Sequence, residues 1–305
     1  MNPSMDRLVL VGGGDATMSI PQLQSMINPM QYGVNYYVDG NVSATGQGTG
    51  WDSPYSTLAE AMAASHAEIA LSANRHWARR NAIWCVGDDL VEDLDLLGQK
   101  TDVIGCGSSD GYKMACLRGN HVPITSGSGI RFLNMRFRPT ASEDLFTLDS
   151  TLIGVEFHNC LFDAYYDTFT APSAIDATAH QHLKVVGCDF IGAFSASVID
   201  IGAGRMDQLR ILNNVMLGGA VAGILVTDTT TIVQSRLGLI DGNRIYAVGC
   251  TINDGNDDTI IVTNNQCISD AATGNAAINV DQRWAANNYI TDASKSGPWP
   301  RLDDS

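Results

Sequence analysis

Apolar and polar residues follow a six-residue motif that recurs seven times between Phe132 and Ile290. Its first and last positions are apolar, and its third is always Asn or Gly. The copies end at residues 137, 162, 190, 216, 245, 267 and 290, so they are 22 to 29 residues apart. Irregular repeats of this length, rich in β-branched and aromatic residues, are typical of stacked coils of parallel strands. The pattern predicts an all-β fold, a single parallel β-helix.

The third and fourth positions of the motif make sharper predictions. Asn and Gly tolerate the left-handed backbone conformation, so the third position is predicted to be a bend. The fourth position is Asn in the last four copies, at 214, 243, 265 and 288. Adjacent strands lie about 4.8 Å apart, so these amides are predicted to form a hydrogen-bonded ladder. Cysteines at 106, 160, 188 and 267 fall in inward columns, which predicts buried free thiols.

A second alternating segment in each repeat predicts another strand per coil. These segments are 145–149, 174–178, 198–202, 223–227 and 277–281, and 249–253 fits less well. Ahead of the repeats, Thr57 and Glu60 form a capping-box pattern before an apolar stripe. A helix is therefore predicted there, covering the open end of the solenoid.

The pattern divides the chain into an N-terminal arm (1–34), a helical cap (35–80), the β-helix (81–292) and a C-terminal cap or tail (293–305). The arm does not follow the repeat. Its apolar residues have no visible partner in the chain, and flexible methionines suit protein contacts. Packing along the solenoid and attachment to another protein both fit the arm. The candidate attachment residues are Leu8, Val9, Leu10, Val11, Met18, Met26 and Met30.

Composition excludes some classes of partner. The 305 residues include 18 basic and 33 acidic ones, a formal net charge of −15. Binding to phosphate backbones needs clustered Lys and Arg, so no nucleic-acid partner is expected. No apolar run approaches the roughly 18 residues of a membrane span, and no signal-peptide pattern is visible. We expect neither membrane insertion nor secretion.

The segment from Tyr37 to Ala61 reads Tyr-Val-Asp-Gly, then Gly-x-Gly, then Trp-Asp-Ser-Pro-Tyr-x-Thr-Leu-x-x-Ala. Followed by a strand at Ala82–Val86 and the turn Val103-Ile-Gly-Cys-Gly107, it resembles the start of pectin-lyase-like right-handed parallel β-helix proteins. The resemblance covers residues 36 to about 290. That superfamily includes polysaccharide lyases and hydrolases, bacterial surface proteins and phage virion proteins.

The short N-terminal arm makes the chain most similar to the phage structural members. The resemblance implies a virion spike, fibre or capsid decoration, made in the host cytoplasm and joined to capsid or tail proteins through the arm. It also implies a homotrimer and, for a spike, contact with host polysaccharide. The alternative function is that of a polysaccharide lyase or glycoside hydrolase.

Glycan-cleaving members use outward carboxylates from neighbouring coils. Asp176 and Asp200 occupy the same outward slot of adjacent repeats, which predicts a stacked acid pair about 4.8 Å apart. Such a pair raises one pKa and allows a division into acid and base or nucleophile. Arg205, His180 and His182 lie on nearby loops. Solvated surface acids are the competing interpretation.

Two other segments suggest ligands. The loop 162–169 is rich in aromatic and acidic residues, and Asp163, Tyr165, Tyr166 and Asp167 are candidate glycan-binding residues. Packing of that loop on the next coil is the alternative. The segment 253–258 carries oxygen ligands around a glycine, but it lacks the spacing and the closing Glu of an EF-hand. A turn is favoured there, so no cofactor or metal site is expected.

Overall fold

A computed structural model describes residues 7–9, 17–19, 33–71, 80–87, 89–107, 114–123, 128–148, 152–165, 169–177, 182–201, 208–218, 222–226, 238–247, 250–254, 260–269, 278–279 and 285–292. Within them, three parallel sheets wind around a common apolar core and form the right-handed parallel β-helix expected from the sequence.

The largest sheet has ten strands. They are β3 (Asn35–Asp39), β4 (Asn81–Val86), β6 (Thr101–Gly105), β8 (Ser128–Leu133), β11 (Ile153–His158), β14 (Lys184–Val186), β17 (Arg210–Leu212), β20 (Gly238–Asp241), β23 (Ile260–Thr263) and β26 (Ala285–Ala286). Since β3 pairs with β4, the sheet begins inside the segment that the sequence assigned to the cap.

The second sheet has nine strands, which follow the sharp bend of each coil. They are β5 (Leu90–Val91), β7 (Ala115–Arg118), β9 (Met135–Arg138), β12 (Leu161–Asp163), β15 (Asp189–Ile191), β18 (Val215–Leu217), β21 (Arg244–Ala247), β24 (Gln266–Ser269) and β27 (Tyr289–Asp292).

The third sheet has six strands and contains the predicted second strand of each coil. They are β10 (Phe146–Thr147), β13 (Ile175–Asp176), β16 (Ser197–Ile201), β19 (Ala222–Val226), β22 (Cys250–Asp254) and β25 (Ile278–Asn279). The segment that fitted the pattern less well, 249–253, nevertheless supplies β22.

Inward residues stack from coil to coil. In the first six copies of the motif the first and last positions are fully buried, and their aromatic rings pack against each other. Phe132 and Phe157 are stacked at 5.3 Å, and Phe162 and Phe190 at 4.5 Å. Neighbouring coils thus bury equivalent side chains against one another, which is the main source of stability in such a fold.

The third position of the motif adopts the predicted left-handed conformation in all seven copies. The φ angles are 55° at Asn134, 51° at Asn159, 63° at Gly187, 55° at Asn213, 68° at Gly242, 55° at Asn264 and 54° at Asn287. At Gly242 a Cβ would lie 2.3 Å from Asn213 Oδ1, so a larger residue at this bend would have to displace the Asn213 side chain.

The predicted asparagine ladder is present. The side-chain amide of Asn214 donates to Asn243 Oδ1 at 2.9 Å, Asn243 donates to Asn265 at 2.9 Å, and Asn265 donates to Asn288 at 3.0 Å. Each of these oxygens also accepts the backbone N–H of the preceding asparagine. The ladder ends at Cys188, whose N–H donates to Asn214 Oδ1 at 2.8 Å.

The predicted helix, α1 (Leu58–Leu71), packs its apolar stripe into the core. Thr57 Oγ1 accepts the N–H of Glu60 at 3.3 Å, as the capping-box pattern predicts. Glu92, from a later coil, accepts the N–H groups of Leu58 and Ala59 at 2.6 and 2.8 Å. The helix is therefore fastened to the solenoid at its N-terminus.

The arm contains a hairpin of β1 (Arg7–Val9) and β2 (Thr17–Ser19), which pair antiparallel with Leu8 opposite Met18. These strands form a sheet of their own, apart from the three parallel sheets. Of the candidate attachment residues, Leu10, Val11, Met26 and Met30 lie outside the described residues, as does the segment 293–305.

The cysteines with described side chains are free thiols, and five of them are buried. Cys106 is the exception to the predicted interior column, because its side chain is only half-buried. No helix in the described parts of the chain is long and apolar enough to cross a membrane.

Candidate active site

The outward face of the six-stranded sheet presents the predicted acid pair. Ile175 and Ile199 point into the core, so the residue after each points outward. These residues, Asp176 and Asp200, are directly paired across β13 and β16. The same outward row begins with Thr147 on β10 and continues with Leu225 on β19.

Asp200 is held in an environment that disfavours its charge. Burial of the half-buried carboxyl, followed by the negative charges of Asp176 and Asp144, raises its pKa from 3.8 to about 6. Paired strands place the two carboxylates roughly 4.8 Å apart at their backbones. At this range the two like charges repel, so one of them keeps its proton to higher pH.

A third acid, Asp144, completes the cluster. It lies just before β10, and its Oδ1 accepts the N–H of Ser173 at 2.6 Å, which ties it to the next coil. Burial raises its pKa, and the charge of Asp176 adds to that shift. We call Asp144, Asp176 and Asp200 the acid cluster.

Asp144 was missed by the sequence argument, because it does not occupy the outward slot. Thr147, three residues later, is the residue that pairs with Asp176. The outward slot of that coil therefore holds a threonine and no acid. The repeat gives no signal for Asp144, because this residue precedes β10 and lies outside the repeated strand positions.

Among the described residues, the six strands of the sheet that carries the acid cluster contain no Lys or Arg. Arg205 and His180, which the sequence placed nearby, lie outside the described part of the chain. His182 is described and adopts a left-handed conformation, with φ 62°.

Charges on the ten-stranded sheet are arranged differently. Asp102, Arg131, Glu156 and Lys184 follow one another in register with alternating sign. A hydrogen bond from His158, aided by Lys184 and Arg131, lowers the pKa of Glu156 to about 2. Opposite charges are neighbours in this row, so it is a structural feature. The acid cluster differs, because its neighbouring charges have the same sign.

The predicted glycan-binding loop needs correction. Asp163 is 2% exposed and forms an ion pair with Arg136, so its carboxylate is not available to bind sugar hydroxyls. Its other oxygen accepts the N–H of Tyr165 at 3.0 Å and shapes the loop. Tyr165 is 67% exposed, as a binding residue must be. Tyr166 and Asp167 lie outside the described residues.

The described residues contain no group of three or more His, Cys, Asp or Glu side chains arranged to hold a metal ion. In the segment suggestive of calcium, Asn253 and Asp254 are part of β22. The rest of that segment, 255–258, lies outside the described residues.

No family model and no curated protein matches the chain. Two crystal structures of a pectin methylesterase from Aspergillus niger are similar to it. The deglycosylated form is 16% identical over 85% of this chain and 86% of that one, with a TM-score of 0.48. The form with an N-acetylglucosamine stub is 15% identical over the same shares, with a TM-score of 0.45.

Proposed function

We propose that this chain is a carbohydrate-active β-helix enzyme that hydrolyses a polysaccharide at the acid cluster. The observation that carries the proposal is the pairing of Asp176 with Asp200 on an outward face, with the pKa of Asp200 raised to about 6. Strongly shifted carboxyl groups next to a like charge are typical of acid–base catalysis.

The roles follow from protonation. Asp200 keeps its proton near pH 6 and donates it to the leaving glycosidic oxygen, while the Asp176 carboxylate attacks the anomeric carbon. Water then hydrolyses the glycosyl–enzyme bond with Asp200 as base, which returns both carboxyls to their starting state. The backbones of the two strands lie about 4.8 Å apart. This is closer to the roughly 5–5.5 Å between the two carboxyl groups of retaining enzymes than to the wider separation in inverting enzymes. Asp144 helps to hold the proton on Asp200.

A panel of bacterial capsular and plant polysaccharides tests this function. New reducing ends would report hydrolysis, and unsaturated products would report a lyase. Asp176→Asn and Asp200→Asn should each reduce the rate at least about a hundredfold.

The rate should fall as pH rises through about 6, because Asp200 then loses its proton. Asp241→Asn, an outward acid of the ten-stranded sheet, is the matched control. Full activity in both cluster variants would refute the proposal.

A second candidate function is display of the β-helix on a virus particle as a homotrimer, located in the virion. It is favoured by one observation, the separate β1–β2 hairpin in the arm. Light scattering of the purified chain would report the trimer, and co-purification with capsid or tail proteins would report attachment. This role is compatible with hydrolysis, because a particle can carry an enzyme to its substrate.

A further inference from the structure

An aromatic cluster lies on the outward face of the ten-stranded sheet, at its N-terminal end. Tyr37 on β3 is paired in register with Trp84 on β4, and both side chains are half-buried. Trp51 contacts the Tyr37 ring edge to face, with 5.0 Å between ring centroids. Trp51 is itself 48% exposed. We call Trp51, Tyr37 and Trp84 the aromatic platform.

The loop that carries Trp51 is held in one conformation. Gly46, Gln47 and Gly48 donate main-chain hydrogen bonds to Pro54 and Ser53, at 2.7 to 3.1 Å. The loop is also fixed to β3, because Tyr37 donates to Gly48 and Tyr55 donates to Tyr37.

Gly48 allows this close approach, since its φ is +68° and a Cβ there would lie 2.1 Å from the Tyr55 ring. Trp51 is therefore not needed to fasten the loop. Its ring is exposed at the tip of a preorganised segment, which reduces the entropic cost of binding a ligand.

Polar groups flank the aromatic platform. Trp84 Nε1 donates to Oδ1 of the exposed Asn35 at 3.3 Å, which orients the indole. Asp52, next to Trp51, is also exposed. The exposed Trp51 ring with neighbouring amide and carboxylate groups matches a sugar ring, whose C–H face stacks on the aromatic ring while its hydroxyls bond at the rim.

Other ligands fit less well. A nucleic acid is disfavoured by the net charge of −15. A quaternary ammonium ion needs space between the rings of an aromatic cage, whereas Trp51 and Tyr37 are in direct contact.

We propose that the aromatic platform is a polysaccharide-binding site, separate from the acid cluster on another sheet. Its ligand class rests on the proposed function, since the polymer bound here would be of the class that the acid cluster hydrolyses. The site itself rests on the exposure of Trp51, on the pairing of Tyr37 with Trp84, and on the hydrogen bonds that hold the loop.

Affinity electrophoresis with polygalacturonate, dextran and xanthan tests the aromatic platform without requiring turnover. The wild-type chain should be retarded by at least one of them, and Trp51→Ala should weaken that binding about tenfold. Trp51→Phe should recover part of it. Tyr246→Ala, an exposed aromatic on the nine-stranded sheet, should bind as the wild type does. The unfolding midpoint of Trp51→Ala should be unchanged, which a purely structural role would not allow.

Three results would overturn the proposal: no retardation of the wild type, equal binding by Trp51→Ala, or displacement of the polysaccharide by choline. Failure of the hydrolase proposal looks different. In that case no glycosidic bond is cleaved, yet binding is present and is lost in Trp51→Ala.

Discussion

Asn243 shows what one residue of the ladder does. It is 1% exposed, and its Oδ1 accepts both the backbone and the side-chain N–H of Asn214. Its Nδ2 donates to the backbone oxygen of Ile211 and to Asn265 Oδ1. A buried amide is costly unless all of its hydrogen bonds are made. Here they are made by repeating the same residue in each coil.

We predict that Asn243→Ala lowers the free energy of unfolding by about 3 kcal/mol, because it leaves buried donors of Asn214 without their acceptor. Urea-induced unfolding monitored by circular dichroism measures this change.

Asn264→Gly is the control for the ladder, since Asn264 is exposed and glycine adopts its φ of 55° without strain. Its effect should stay below about 1 kcal/mol. Equal effects of the two substitutions would show that the ladder does not stabilise the fold.

Residues that recur at one motif position were predictable from the sequence. The seven bends and the four asparagines follow from identical chemistry at equivalent places. Asp144 and Asp163 illustrate the limit. One reaches the acid cluster from outside the repeated slot, and the other is covered by an ion pair with Arg136 that no repeat predicts.

At the scale of elements, α1 depends on a residue from a distant coil. Its first two N–H groups are accepted by Glu92, a carboxylate at the positive end of the helix dipole. The local pattern predicted the helix and its Thr57 cap, because the two capping-box residues, Thr57 and Glu60, are close in the sequence. It did not predict Glu92, which is brought near only by winding of the chain.

Glu92→Ala should therefore destabilise the N-terminus of α1 by about 1 kcal/mol, the usual value of a lost cap. Hydrogen exchange of the Leu58 and Ala59 amides should accelerate, while exchange in the β-helix core should not. Asp95→Ala, an exposed acid in the same connection, serves as the control. Unchanged exchange at both amides would mean that Glu92 does not cap the helix.

At the scale of the whole molecule, two of the three outward faces differ in chemistry. The ten-stranded sheet carries paired charges and the aromatic platform, and the six-stranded sheet carries the acid cluster. The sequence repeat predicted the stacking and the pairing of Asp176 with Asp200. It did not predict Asp144 or the aromatic platform, because Asp144 and Trp51 lie outside the repeated strand positions.

The arm provides the test at this scale. Because β1 and β2 pair with each other and the parallel sheets begin at Asn35, deletion of residues 1–32 should leave the thermal unfolding midpoint of the β-helix unchanged. Differential scanning calorimetry compares the two chains. A clearly lower midpoint would instead make the arm part of the solenoid.

The titration of Asp200 tests the catalytic role of the acid cluster most directly. Carbon-13 NMR of labelled aspartates would follow its carboxyl with pH in the wild type and in Asp176→Asn. We predict a pKa of about 6 in the wild type and a lower value in the variant, because one neighbouring negative charge is removed. A wild-type pKa in the ordinary range of aspartate, unchanged by the substitution, would contradict the coupled pair and the catalytic role built on it.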